Sequence, residues 1–288
     1  MTGAVTDLRL RIGVDVGRRL SAEDAIAWAD RNGVRHIDVQ ADLDPNPLGD
    51  MPDRAAGIRA SAEAAGIELG LHTLSAVNIA EVSPFMSDAV DTYLRAYIDL
   101  CAAMGAGRVV VHAGYHFSAD YALRREAGLE RLKRAAGYAE HKGVDLLLEN
   151  MNREPDDAEV KYLGSTLEEC LYYFDRLDSP RLHWSFTVNH AHLWPEIGID
   201  GFLDALDVSR LREVRLADCS GTVEEHLMPG EGTVDFAAMF RRIEGLGYRG
   251  HYMAAWGTLD DMLAGRETLA GLAPALRPGT GPRQEDSR

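Results

Sequence analysis

At 288 residues and 31.6 kDa, with 46% hydrophobic and 26% charged residues, the chain fits either two ordinary domains or one α/β barrel. A net charge of −16 and a pI near 5.0 set the surface against DNA and anionic membranes, and no Lys/Arg run with interleaved aromatics offsets this, so nucleic-acid and membrane partners are disfavoured. No apolar stretch approaches the roughly 20 residues of a membrane span, no basic-then-apolar leader opens the chain, and the scattered Cys101, Cys170 and Cys219 suit a reducing cytosol without disulfides; the expectation is a cytoplasmic protein.

The run LRIGVDV (10–16) predicts a first strand. SAEDAIAWADRNG predicts a helix with Ser21 as N-cap, Asp24 completing a capping box and Gly33 as stop. VRHIDVQ (34–40) predicts a second strand, and the loop DPNPLGDMP leads to a helix from about Pro52 to Ala65 with proline in its first turn. Six more strands are predicted at IELGLHT (67–73), RVVVHAG (108–114), VDLLLEN (144–150), RLHWSFT (181–187), LREVRLAD (211–218) and GHYMAAW (250–256). Helices near 87–104, 118–142, 165–177, 200–207 and 235–246 separate them, and one near 258–273 follows. Near-continuous apolar strands alternating with helices imply a parallel sheet covered on its faces. Eight such units predict an α/β fold, a single-domain (β/α)8 TIM barrel over residues 1–275, with 276–288 a polar, Gly/Pro-bearing disordered tail. A doubly wound open sheet is the alternative, but GVDVGRR after the first strand is not its GxGxxG turn.

In such barrels chemistry sits at the C-terminal strand ends. Counting by twos along the strands puts His72, His112, Glu149, Thr187 and Arg215 near the ends of five successive strands, with neighbours suited to the helix layer. A core does not need that series, because each such group, if buried, must find a partner or lose roughly 1–3 kcal/mol. Each has a plainer reading: a hydrogen-bonded core histidine, or a Glu149–Arg215 pair across the mouth. HWSFTVNHAH (183–192) adds His190 and His192 beyond strand six with no carboxylate in the stretch. His192 and His116 read as loop residues, and Trp184, Trp194 and Trp256 as packing or an apolar wall.

These motifs together resemble the xylose-isomerase-like TIM barrels, which include sugar (phosphate) isomerases and epimerases and the endonuclease-four branch. GLHTLSAVNIA resembles the segment around the family's third-strand His, VVVHAG its fourth-strand His-x-Gly, and LLLEN its fifth-strand Glu-Asn. TVNHAHL stands where the family often has Asp-x-Gly-His, and VRLADCSG…EEHLMPGEG resembles the seventh-strand His-x-x-Asp and the Gly-Glu-Gly loop. The resemblance implies a metal held by Glu, Asp, His and Glu of strands five to eight. Here only Glu149 matches: Thr187 replaces the Asp, Arg215 the His, and Ala255, or Ala254 on a slipped register, the last Glu. Arg cannot deprotonate to become a ligand, and its charge opposes a cation at close range. The expectation is therefore no cofactor, with that metal position empty and Arg215 doing the cation's electrostatic work. The alternative is one divalent metal (Zn, Mn or Fe) on His72, His112 and Glu149, which match a different metal position of the endonuclease-four branch; His190, His226 and Glu224 match a further one.

The predicted activity is general acid–base chemistry on a small, oxygen-rich substrate: isomerisation, epimerisation, or lyase-like elimination/cyclisation. Glu149 is the expected base, His190 its acid–base partner, Arg215 the oxyanion stabiliser and Glu231 a weaker acid–base candidate. His72, His112, Thr187, Asp218, His226 and Trp256 are the expected substrate-binding residues. The rival readings are a metal-dependent sugar (phosphate) isomerase with rearranged ligands, a non-catalytic ligand-binding barrel, and a DNA-repair nuclease, which the acidic charge disfavours. A homodimer is compatible with the resemblance, although no interface pattern is legible.

Overall fold

In chain order the strands are β1 (Ile12–Gly17), β2 (His36–Val39), β3 (Glu68–His72), β4 (Arg108–Val111), β5 (Tyr115–Phe117), β6 (Asp145–Glu149), β7 (Val160–Tyr162), β8 (Leu182–Thr187), β9 (Leu211–Leu216) and β10 (His251–Ala254). The computed structural model describes residues 7–272, so the tail assigned to 276–288 lies outside the described residues. Eight strands close in the order β1-β10-β9-β8-β6-β4-β3-β2, every neighbouring pair parallel. This is the expected TIM barrel. Each of the eight predicted strands is present; seven lie within their predicted bounds, while β1 begins two residues late, after a short helix Leu8–Arg11, and runs one residue further, to Gly17.

The helices form where local signals place them. Ser21 caps Ala22–Arg31 by accepting from the Asp24 amide, and its hydroxyl donates to the Asp24 carboxylate. A proline sits in the first turn of both Met51–Ala65 and Pro84–Ala103, where its missing N–H costs nothing. Thr166 and Glu169 form a full capping box on Leu167–Phe174, as do Thr258 and Asp261 on Leu259–Ala270. Helix-facing strand residues such as Val14, Ile37, Leu69, Val109, Leu146, Trp184, Val214 and Tyr252 are buried against these helices. Trp256, expected at the substrate, belongs to that layer: it is 1% exposed, packs against Gly265 and donates its Nε1–H to Asp261 O.

The inside of the barrel is polar below its mouth. Arg108 donates to Asp38 (2.7 Å) and Glu213 (2.8 Å). Arg215 donates to Asp38 (3.0 Å), Glu213 (2.9 Å) and Asp15. His251 adds a 2.9 Å contact to Glu213 and stacks on His36 at 4.8 Å. Gly70 makes room for this column: a Cβ there would lie 2.2 Å from Asp38 Oδ1 and 2.8 Å from Arg108 Cζ.

Two features are absent from the sequence-based expectation. β5 and β7 pair antiparallel as a small separate sheet above the barrel. The chain beyond β8 turns directly into a short helix, Val188–His192, which carries His190 inward.

Candidate active site

A cavity of about 340 Å³ opens at the C-terminal end of the barrel. Its wall includes His72, His112, Glu149, His190, Arg215 and His226, six of the ten residues singled out from sequence, together with Asp15, Arg19 and Glu224. Ala255 lines it too, so the eighth strand keeps the unslipped register.

Glu149, 5% exposed, is the centre. Its Oε1 accepts from the Thr187 hydroxyl at 2.5 Å and lies 4.0 Å from Arg215 Nε and 3.8 Å from His190 Nδ1. Its Oε2 faces His72 Nε2 at 3.2 Å and His112 Nε2 at 3.4 Å. Burial pushes the Glu149 carboxyl up, but the imidazoles of His112 and His72 and the Arg215 charge outweigh it and hold it well below the usual carboxylate range. Burial and Arg215 push His72 down, and Glu149 reverses this to leave it raised, whereas burial keeps His112 below its ordinary value.

The hydrogen on the His112 ring is fixed from behind. The Thr73 hydroxyl donates to Val110 O (3.0 Å) and so accepts from His112 Nδ1 (3.3 Å), which leaves the His112 Nε2 lone pair facing a carboxylate. A second triad repeats the pattern. His190 Nδ1 donates to Asn150 O (2.7 Å) and His226 Nδ1 to Ala255 O (2.6 Å). Both Nε2 atoms then converge on Glu224 Oε1, at 3.2 Å and 2.8 Å, and Glu224 Oε2 is buried without a hydrogen-bond partner. In each triad the candidate ligand atoms lie within 4.8 Å of one another. Lone pairs aimed at a carboxylate repel unless a proton or a cation lies between them. The charge balance points the same way: the carboxylates of Asp15, Asp38, Glu149, Glu213 and Glu224 outnumber the guanidiniums of Arg19, Arg108 and Arg215 around the mouth. Two imidazoles and a carboxylate are a donor set that suits zinc or iron.

Other expected site residues are placed elsewhere. Glu231 is exposed and folds back to accept from the Met228 amide. Asp218 is fully buried and accepts from the amides of Cys219, Gly230, Gly232 and Val234, so it builds the loop that carries Glu224 and His226 rather than touching the cavity. Thr187 acts through Glu149. His192 donates to or accepts from Thr233 Oγ1 at 2.8 Å, outside the cavity wall. Arg215 has three carboxylates on its two terminal nitrogens, which fixes its head in the cavity wall. Sequence reasoning missed Asp15, the buried acids Asp38 and Glu213, and Arg108. Parity along β9 puts Glu213 on the face of Arg215 and was the one signal available for it.

Comparison with known proteins agrees with this architecture. The xylose isomerase-like TIM barrel family matches residues 26–272. Fructoselysine 3-epimerase of Shigella flexneri is 28% identical over 161 residues, 55% of each chain. The probable endonuclease 4 of Methanoculleus marisnigri is 29% identical over 181 residues, 59% of this chain and 62% of its own. The chain thus spans little more than half the length of these curated relatives. Among solved structures, a D-tagatose 3-epimerase-like protein superposes with a TM-score of 0.81 at 20% identity, covering 92% of this chain and 98% of its own. D-Psicose 3-epimerase from Clostridium cellulolyticum H10, crystallised with D-tagatose, superposes with a TM-score of 0.70 at 16% identity over 93% and 98%. With the closed barrel, the polar strand ends and a match over most of its length, the chain belongs to the xylose isomerase-like TIM barrel family.

Proposed function

We propose that the protein is an isomerase or epimerase that moves a proton beside the carbonyl of a small polyhydroxylated substrate, with one divalent cation on His72, His112 and Glu149. The observation that supports this reading is the convergence of two imidazole nitrogens on a single Glu149 oxygen. A cation bound there would polarise a substrate oxygen. The names of the relatives, sugar epimerases among them, favour a ketose-like substrate.

This reading departs from the metal-free expectation on one physical point. A single carboxylate oxygen with imidazole nitrogens at 3.2 Å and 3.4 Å is placed to share a cation with them rather than to reach a substrate carbon as a free base. Thr187 fixes its free oxygen, and Thr73 orients His112. Arg215 supplies a permanent positive charge 4.0 Å from Glu149 Oε1, and with Thr187 and Ala255 alongside, that side of the carboxylate offers no further anionic ligand. Proton transfer falls to His190, whose Nε2 faces the cavity while Asn150 O holds its other nitrogen. Glu224 relays the proton between His190 and His226. Met151 and Tyr162 complete the wall.

A second reading is that the His190–Glu224–His226 triad also takes a cation. The unpartnered Glu224 Oε2 and the two ring nitrogens pinned by carbonyls favour it.

The test combines metal analysis after chelation and reconstitution with NMR of D-tagatose and D-fructose in deuterated water. One equivalent of metal and deuterium entering the carbon beside the carbonyl are expected, with exchange lost in His190→Ala but metal retained. Two equivalents, one of them lost in that variant, select the second reading. No metal at all returns Glu149 to the role of base. Binding of ketose without any exchange makes the protein a non-catalytic barrel and overturns the proposal.

A further inference from the structure

A second cavity of about 180 Å³ lies beside the first, and Tyr162 is part of both walls. It sits under the β5–β7 sheet, whose register places Lys161 opposite His116. Its charges are unevenly committed. Glu169 accepts from the amides of Ser165 (3.1 Å) and Thr166 (3.3 Å) as a helix cap, and Glu154 accepts from the Asn152 side chain at 2.7 Å. Asp156, at the solvent edge, takes Arg153 Nη2 at 3.3 Å. Lys161 has no such partner. Its Nζ donates to the carbonyl of Asp156 at 2.8 Å, and no carboxylate among the described residues pairs with it. Trp194 also lines the cavity: its Nε1 is buried without a partner, and the Arg153 guanidinium lies 4.7 Å from the centre of its rings.

We propose that this second cavity is a subsite for an anionic group, carboxylate or phosphate, carried on a tail of the substrate whose polyol end occupies the first cavity. Lys161 supplies the charge, and Arg153, flattened on Trp194, supplies a planar pair of donors. Tyr162 is the threshold over which the tail passes. Three features point to a bound group rather than to fold support. Lys161 has no ion-pair partner among the described residues, the indole N–H lacks an acceptor, and the two cavities share a wall. The proposal rests on the isomerase or epimerase reading for its polyol end only; the anion subsite has its own readout.

The experiment uses three probes on the full chain: 1-deoxy-D-fructose bearing at C1 a hexylamino tail that ends in a methyl, a carboxylate or a phosphate. Affinities are measured by calorimetry and tryptophan fluorescence. One charge-assisted hydrogen bond predicts that an anionic tail binds about tenfold tighter than the methyl tail. Lys161→Met and Lys161→Gln are expected to erase that preference while the methyl-tailed probe keeps its wild-type affinity, which also shows that the variants fold. The fluorescence change on adding an anionic tail is expected to vanish in Trp194→Phe. Carboxylate or phosphate preference identifies which anion the subsite takes. Equal affinity for all three tails in the wild type overturns the subsite. Anion preference without deuterium exchange at the sugar keeps the subsite and overturns the enzymatic reading. Failure of all three probes to bind overturns both.

Discussion

Replacing Glu149 by glutamine keeps the side chain's size and removes the negative charge on which His72 and His112 converge. The variant can still accept from Thr187, so the fold has little reason to change. The expected outcome is loss of the cation proposed for the first triad and a fall in turnover on the order of 10²-fold or more. Metal analysis and circular dichroism on the same sample check it: normal turnover, or normal metal content, removes Glu149 from the centre of the site. The residue scale is also where the sequence was most informative. His72, His112 and Glu149 reach one cavity because strand alternation dictates which side chains point inward at a strand end, whereas His190 and His226 reach it from the short helix after β8 and the loop after β9. It was least informative for acids within strands. Asp38 and Glu213 sit in apolar runs that read as ordinary barrel staves, and only the opposing Arg108 and Arg215, 70 and 2 residues away respectively, explain why they are tolerated.

At the scale of elements, the loop between β9 and the helix Phe236–Gly245 acts as a unit. Asp218 gathers four of its amides, and an antiparallel bridge between Asp218 and Leu227 closes it. Gly232 fits only because it lacks a side chain; a Cβ would come within 2.3 Å of Cys219 O. Asp218→Ala is therefore expected to loosen residues 219–234 and move Glu224 and His226. Misplacement by about 1 Å can cost on the order of 10²-fold in rate. Hydrogen exchange should rise across the loop and turnover should fall, while metal binding proposed for the first triad is unchanged; unchanged exchange would show that the carboxylate is dispensable. This loop was read from sequence as a Gly-Glu-Gly site motif with Asp218 and Glu231 at the substrate. The error is one of direction: a buried acid followed by glycines satisfies backbone amides as readily as it binds a ligand. The β5–β7 sheet was invisible for a different reason, since three-residue strands show no usable alternation.

For the molecule as a whole, the buried column sets how stability responds to acid. Burial, reinforced by Arg108, pushes His251 down to about 4 from its ordinary 6.5, against the pull of Glu213. Burial raises Glu213, but His251, Arg108 and Arg215 outweigh it and hold it well below its usual value. Both groups bind fewer protons folded than unfolded, so their contribution is present at neutral pH and is lost as pH falls, from about 6.5 for His251 and lower for Glu213. Asp38 opposes them. Burial raises it to about 6, so its cost grows as pH climbs from its ordinary 3.8 towards that value. The shifts of His251 and Asp38 nearly offset each other between pH 6 and pH 4, so the expected signal is a difference: urea midpoints of the wild type should decline relative to those of His251→Gln as pH falls from 7 to 4. A difference that stays constant over that range would show that His251 is not held neutral by the column.

Gly70 shares in this arrangement without any backbone need for glycine. Its place is set by the side chains of two other strands, so positions 70 and 108 answer to a common constraint. Descendants of this barrel that acquire alanine or serine at 70 must shorten the long side chain at 108 in the same lineage, or rebuild the acids it serves. Paired change at those two sites is the trace that an inner electrostatic spine leaves in a genealogy.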